Sequence, residues 1–112
     1  MEPSTCHASN WIYVVSNPSG EGFYIDADTA WSDGYRSGAN VKCVQNNGNT
    51  TVETLNFEDF TERGVFYKVL ACWVYDSSGK QIHYDNQLEE KYMYNGTGGY
   101  TICRKVMEIC GR

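Results

Sequence analysis

The run Val65-Phe66-Tyr67-Lys68-Val69-Leu70-Ala71-Cys72-Trp73-Val74-Tyr75 decides the fold, together with the Asp76-Ser77-Ser78-Gly79 that closes it and the Gln81-Ile82-His83-Tyr84 that follows. β-Branched and aromatic side chains dominate both stretches, and such residues fit a pleated, half-buried surface. The segment between them supplies the Asp, Ser and Gly of a tight reversal. Two strands, about Val65 to Tyr75 and about Gln81 to Tyr84, therefore meet as neighbours.

The same punctuation recurs outward from this run, at Asn17-Pro18-Ser19-Gly20, Ser32-Asp33-Gly34, Asn46-Asn47-Gly48-Asn49 and Arg63-Gly64. It delimits four more strands, about Trp11 to Ser16, Gly22 to Asp26, Tyr35 to Gln45 and Thr50 to Phe57. Connections this short join antiparallel neighbours, because parallel ones need a crossover. The period then changes. Ile102, Cys103, Val106, Met107 and Cys110 keep the spacing of a helix stripe, with Arg104, Lys105 and Glu108 opposite. Thr97 suits the N-cap and Gly111 the stop. The expected fold is α+β: one antiparallel meander of about six strands, with a C-terminal helix packed on one face.

A chain of 112 residues with 41% hydrophobic and 14% aromatic residues supports one packed domain. That domain is expected over 11–112, behind an N-terminal tail at 1–10. Nine basic against fourteen acidic residues give a net charge of −5, without the basic patch that displaces counterions from phosphate. Nucleic acid is thereby set aside as a partner, and an anionic membrane surface with it. No apolar run approaches the ~18 residues of a spanning helix.

Five cysteines, at 6, 43, 72, 103 and 110, are dense for a reduced compartment. No Cys-x-x-Cys pair exists to suggest a zinc site, and only His7 and His83 could join as ligands. One or two disulfides in an oxidising compartment are expected, with one thiol left over. Cys103 and Cys110 share the helix stripe, and Cys43 and Cys72 lie within strands, so a helix-to-strand bridge fits. Cys72 with Cys110 is preferred, but spacing alone does not fix connectivity. Met1 to Cys6 has neither the basic nor the apolar region of a signal peptide. An exported form of this protein would begin near its mature N-terminus here. Asn49 and Asn95 open Asn-x-Thr sequons.

No nucleophile elbow, phosphate loop or His-Glu-x-x-His motif is present. His83, followed by Tyr84 and Asp85, could serve a small secreted hydrolase, but an exposed strand histidine is the simpler reading. The pairs Asp26/Asp28, Glu58/Asp59 and Glu89/Glu90 lack the loop of a calcium site. No catalytic residue, metal or cofactor is assigned. Nine Tyr and three Trp are the informative excess, because such side chains give large contact area at small entropic cost. Tyr24, Tyr35, Tyr67, Tyr84, Tyr92, Tyr94 and Tyr100 are spread over several elements, and Tyr24, Tyr35, Tyr84, Tyr92 and Tyr94 are taken as the candidate binding-surface aromatics.

Four segments, taken in order, resemble the bacterial surface-adhesin E family: Trp11-Ile12-Tyr13-Val14 with Phe23-Tyr24-Ile25-Asp26, then Val41-Lys42, then Tyr67-Lys68-Val69-Leu70 with Val74-Tyr75-Asp76-Ser77-Ser78-Gly79-Lys80, and finally Gly96-Thr97-Gly98 running on to Val106 and Cys110. The likeness spans most of residues 11 to 110. It implies an exported bacterial protein with a single antiparallel sheet and a C-terminal helix. The best-known member, an adhesin of a respiratory pathogen, forms dimers and binds host matrix and serum proteins such as laminin, vitronectin and plasminogen. The family usually has a cysteine near the end of its fourth strand, where this chain reads Glu58-Asp59-Phe60. By that resemblance, a partner for Cys110 comes from Cys43 or Cys72. No ligand-binding residue carries over, since the adhesin's surface includes basic residues and this chain is acidic. The expectation is an extracytoplasmic binding module for a host matrix or envelope protein, with a homodimer as its implied assembly. The rivals are a periplasmic inhibitor or envelope assembly factor, and a His83-dependent hydrolase.

Overall fold

At the hairpin after the long apolar run, Asp76 Oδ1 accepts the N–H groups of Ser78 (2.9 Å) and Lys80 (3.0 Å), and Gly79 takes a left-handed φ of 90°. A Cβ is costly in that region, which is why a glycine stands there. The carboxyl of Asp76 is held below the usual carboxylate range, first by the Ser78 hydroxyl and then by the Lys80 N–H. Local chemistry of this kind punctuates the chain as the sequence foretells.

The computed structural model describes residues 10–111. The expected tail, with Cys6 and His7, lies outside them except for Asn10. Within them the chain forms β1 (Trp11–Ser16), β2 (Gly22–Asp26), a 3₁₀ turn (Ala27–Thr29), β3 (Trp31–Ser32), β4 (Arg36–Val44), β5 (Thr50–Glu58), β6 (Gly64–Tyr75), β7 (Gln81–Asp85), β8 (Glu89–Tyr94) and α1 (Gly98–Ile109). The order across the sheet is β1-β2-β4-β5-β6-β7, and every pairing is antiparallel.

The sheet has eight strands, not about six. The first addition, β3, is two residues long and pairs only with Ser37 and Gly38 of β4. The second, β8, reads Glu-Glu-Lys-Tyr-Met-Tyr, too charged at its start for a strand signal. It forms because β6 is twelve residues long and has room for two partners on one edge. Residues 64–69 of β6 pair with β8, and residues 72–75 pair with β7.

One face carries the core. Ile25, Ala39, Val41, Leu55, Phe57, Val65 and Val69 point to it and pack against Tyr100, Ile102, Cys103 and Val106 of α1. Thr97 caps the helix, its hydroxyl accepting from Tyr100 N–H at 3.4 Å, and Gly111 ends it at φ 77°. Leu70 is the extra residue of a bulge in β6, since Leu55 faces Val69 but Thr54 faces Ala71. The bulge flips the alternation, so Val65, Tyr67 and Val69 face α1 before it and Cys72 and Val74 turn to that side after it.

Candidate recognition surface

Register alone assembles a row of side chains on the face away from α1. Tyr13 is opposite Tyr24, Tyr24 opposite Lys42, Lys42 opposite Val52, Val52 opposite Trp73, and Trp73 opposite Tyr84. Six strands thus each give one residue to a single line. Directly opposed residues share a face and lie close enough to interact. Tyr13 and Tyr24 meet edge to face at 5.6 Å, and Trp73 and Tyr84 are tilted at 5.4 Å. Val52 beneath them is only 5% exposed, whereas Tyr13 and Tyr84 at the two ends are 53% and 48% exposed.

Lys42 sits near the centre of this line. Its Nζ is 4.6 Å from the Trp11 ring centroid and 5.1 Å from that of Tyr24. Such ring faces attract a cation by ~0.5–2 kcal/mol, more as water is excluded. Burial pushes the Lys42 ammonium below its ordinary pKa.

A second aromatic group lies further along the same face. Phe66 meets Tyr92 at 5.0 Å, and Tyr92 meets Tyr94 at 5.0 Å, both edge to face. A charged ladder starts in the same cross-strand row as Phe66 and Tyr92 and steps one row towards the first group: Arg36 Nε to Glu58 Oε2 at 3.3 Å, Lys68 Nζ to the same oxygen at 3.2 Å, and Lys68 Nζ to Glu90 at 3.9 Å. The first aromatic group is thus separated from a mixed region where Phe66, Tyr92 and Tyr94 adjoin compensated charges.

Of the five aromatics expected at a binding surface, Tyr24 and Tyr84 belong to the row and Tyr92 and Tyr94 to the second group. Tyr35 does not join them. It stands in the turn before β4, 70% exposed, with the Arg36 guanidinium 5.8 Å over its ring. Sequence reasoning missed Trp11, Tyr13, Lys42 and Trp73. Alternation of Trp11 and Tyr13 with inward Ile12 was the available signal; the cross-strand register was not.

The expected disulfides do not form: Cys43, Cys72, Cys103 and Cys110 are all free. Placement sets Cys103 and Cys43 apart. Cys103 is fully buried in α1, its Sγ 3.9 Å from Ser37 Oγ. Cys43 lies six residues beyond Ser37 along β4, on the order of 20 Å in an extended strand. Cys72 faces Glu53 and Asp85, and Cys110 is at the helix C-cap. Burial pushes the Cys103 thiol up to about 12 and the Cys72 thiol up to about 11. The oxidising-compartment reading therefore draws no support from the described cysteines.

The remaining candidates have local explanations. Asp26 Oδ1 accepts the N–H groups of Asn10 (3.3 Å) and Asp28 (3.1 Å), and so caps the 3₁₀ turn. Glu58 and Glu90 belong to the charged ladder. His83, Asp85, Glu53, Glu89 and Cys72 line a small cleft of ≈ 160 Å³ on the α1 side, at the end of the sheet. His83 hydrogen-bonds to neither Asp85 nor Glu53 among the described residues. Glu53 is pushed above the usual carboxylate range by burial first and by Glu89 second, with Lys91 pulling the other way. Compared with family models, with curated proteins and with solved structures, the chain matches none.

Proposed function

We propose that this chain is an exported bacterial binding module that recognises a protein partner, a host matrix protein or an envelope protein, through the aromatic face opposite α1. The carrying observation is the six-strand row from Tyr13 to Tyr84, whose ends stay open to solvent. The helix covers one side of the sheet, and no element of the described chain covers the row. Contiguous exposed aromatic surface marks interaction sites in folded proteins. Tyr and Trp also dominate the residues whose truncation costs most at interfaces. Export, surface location and homodimer formation rest on the resemblance to the surface-adhesin E family.

Solid-phase binding to immobilised laminin, vitronectin and plasminogen, beside an acidic control protein of equal size, tests this reading. Saturable binding above the control is expected for at least one of them. Binding no better than the control removes the host-adhesion reading. A single stoichiometric protein recovered from an envelope extract instead identifies an inhibitor or assembly partner.

A further inference from the structure

A separate concave feature lies where the end of α1 meets the sheet. The turn carrying Ser32 and Arg36 faces the Asp59–Thr61 loop across a cleft of ≈ 430 Å³ that Met107 also lines. Sites for small organic ligands run from about 300 to 1,000 Å³. Both sides are held in place. Asp33 Oδ1 accepts the N–H groups of Tyr35 (2.8 Å) and Arg36 (2.6 Å) on one. On the other, the Tyr100 hydroxyl donates to Thr61 O at 2.8 Å, and its ring stacks on Phe60 at 5.0 Å.

The chemistry of the lining is specific. Phe57, Phe60 and Met107 supply apolar surface. Two charged residues line it, and they are not equivalent. Arg36 is compensated by Glu58 at 3.3 Å. Asp59 is exposed at the mouth of the cleft and has neither a hydrogen bond nor an ion pair among the described residues. It is also the one described non-glycine residue with positive φ, at 55°. Aspartate enters this left-handed region more readily than most residues do, so the loop holds the conformation at little cost. Ser37, only 3% exposed, also lines the cleft, and its hydroxyl contacts nothing better than the Cys103 thiol at 3.9 Å. A thiol is a weak hydrogen-bond partner.

We propose that this cleft binds a small organic cation, a primary amine on an aromatic or branched apolar body. The ammonium pairs with the Asp59 carboxylate, and the body packs on Phe57, Phe60 and Met107. An anion of the same shape meets Asp59 with like charge and must compete with Glu58 for Arg36. The site is independent of the aromatic face and stands or falls separately from it.

The test titrates phenethylamine and tryptamine into the nitrogen-labelled full chain, with phenylacetate as the matched anion, and follows backbone amide shifts. Saturable shifts at Ser37, Asp59 and Thr61 are expected with both amines and not with phenylacetate. Asp59→Asn and Asp59→Gly should each weaken amine binding about tenfold or more, as loss of a charge-assisted contact does. Asp59→Gly suits the left-handed backbone, so its melting temperature should equal or exceed that of the wild type. No saturable shift with either amine overturns the proposal. So does equal binding of phenylacetate, or undiminished binding by Asp59→Gly.

Discussion

Glu53 shows what a single residue on the wrong side of a sheet does. It points to the α1 side at a position where α1 does not reach, between Val41 and Cys72 in register. Its carboxyl is pushed above 4.5 by burial, and Glu89 adds to the shift. A folded-state pKa above the unfolded one gives stability that is complete below about 4.5 and is lost as pH rises through the folded value. Glu53→Gln should therefore melt with the wild type below that pH and above it near neutrality. Equal melting temperatures at neutral pH would contradict the assignment. Cys103 follows the same sign at the alkaline end. Its thiol rises from 9.0 to about 12, so the wild type should lose stability between those values faster than Cys103→Ala does, by a pH titration of thermal melts. At this scale the sequence was half legible. The aromatic excess pointed to Tyr24 and Tyr84, but Trp73 and Lys42 join them only through register, which is a property of strand pairs. The disulfide reading failed for the same reason: cysteine spacing says which element each thiol occupies and not how far along the sheet it lies.

At the scale of elements, the helix stripe was plain because its period differs from that of everything before it. Ile102, Cys103 and Val106 of the predicted stripe are buried, along with Tyr100. Ile102→Ala should cost about 2–5 kcal/mol by chemical denaturation, as deletion of a buried aliphatic side chain does. Thr97→Ala should cost about 1 kcal/mol through loss of the cap. A loss within error for Ile102→Ala would mean that α1 does not seal the core. The strands β3 and β8 were illegible for different reasons. Two residues are too few to show alternation, and β8 begins on three charges. Its place is set by the length of β6, a tertiary cause that local propensity does not carry. Trp31 of β3 in turn lies over Gly38, where an added Cβ would come within 2.6 Å of the indole nitrogen and of Leu55 O. Gly38→Ala should therefore weaken the β3–β4–β5 junction, seen as a lower melting temperature and faster amide exchange at Trp31.

For the whole molecule, the two faces of one sheet divide the labour. One face is closed by the last helix, and the other presents an aromatic row and, beside it, aromatics mixed with a ladder of charges that compensate one another. The two-layer division was legible in the sequence as soon as the helix period was seen; the composition of the open face was not, because each strand contributes one residue to the row. The most direct test compares wild type with the Tyr13→Ser/Tyr84→Ser double variant for solid-phase binding to whichever matrix or envelope protein the wild type captures. Both residues are about half exposed, so the melting temperature should hold while binding falls by at least tenfold, as removal of two interface anchors implies. Undiminished binding by a folded double variant would contradict the assignment of this face as the recognition surface.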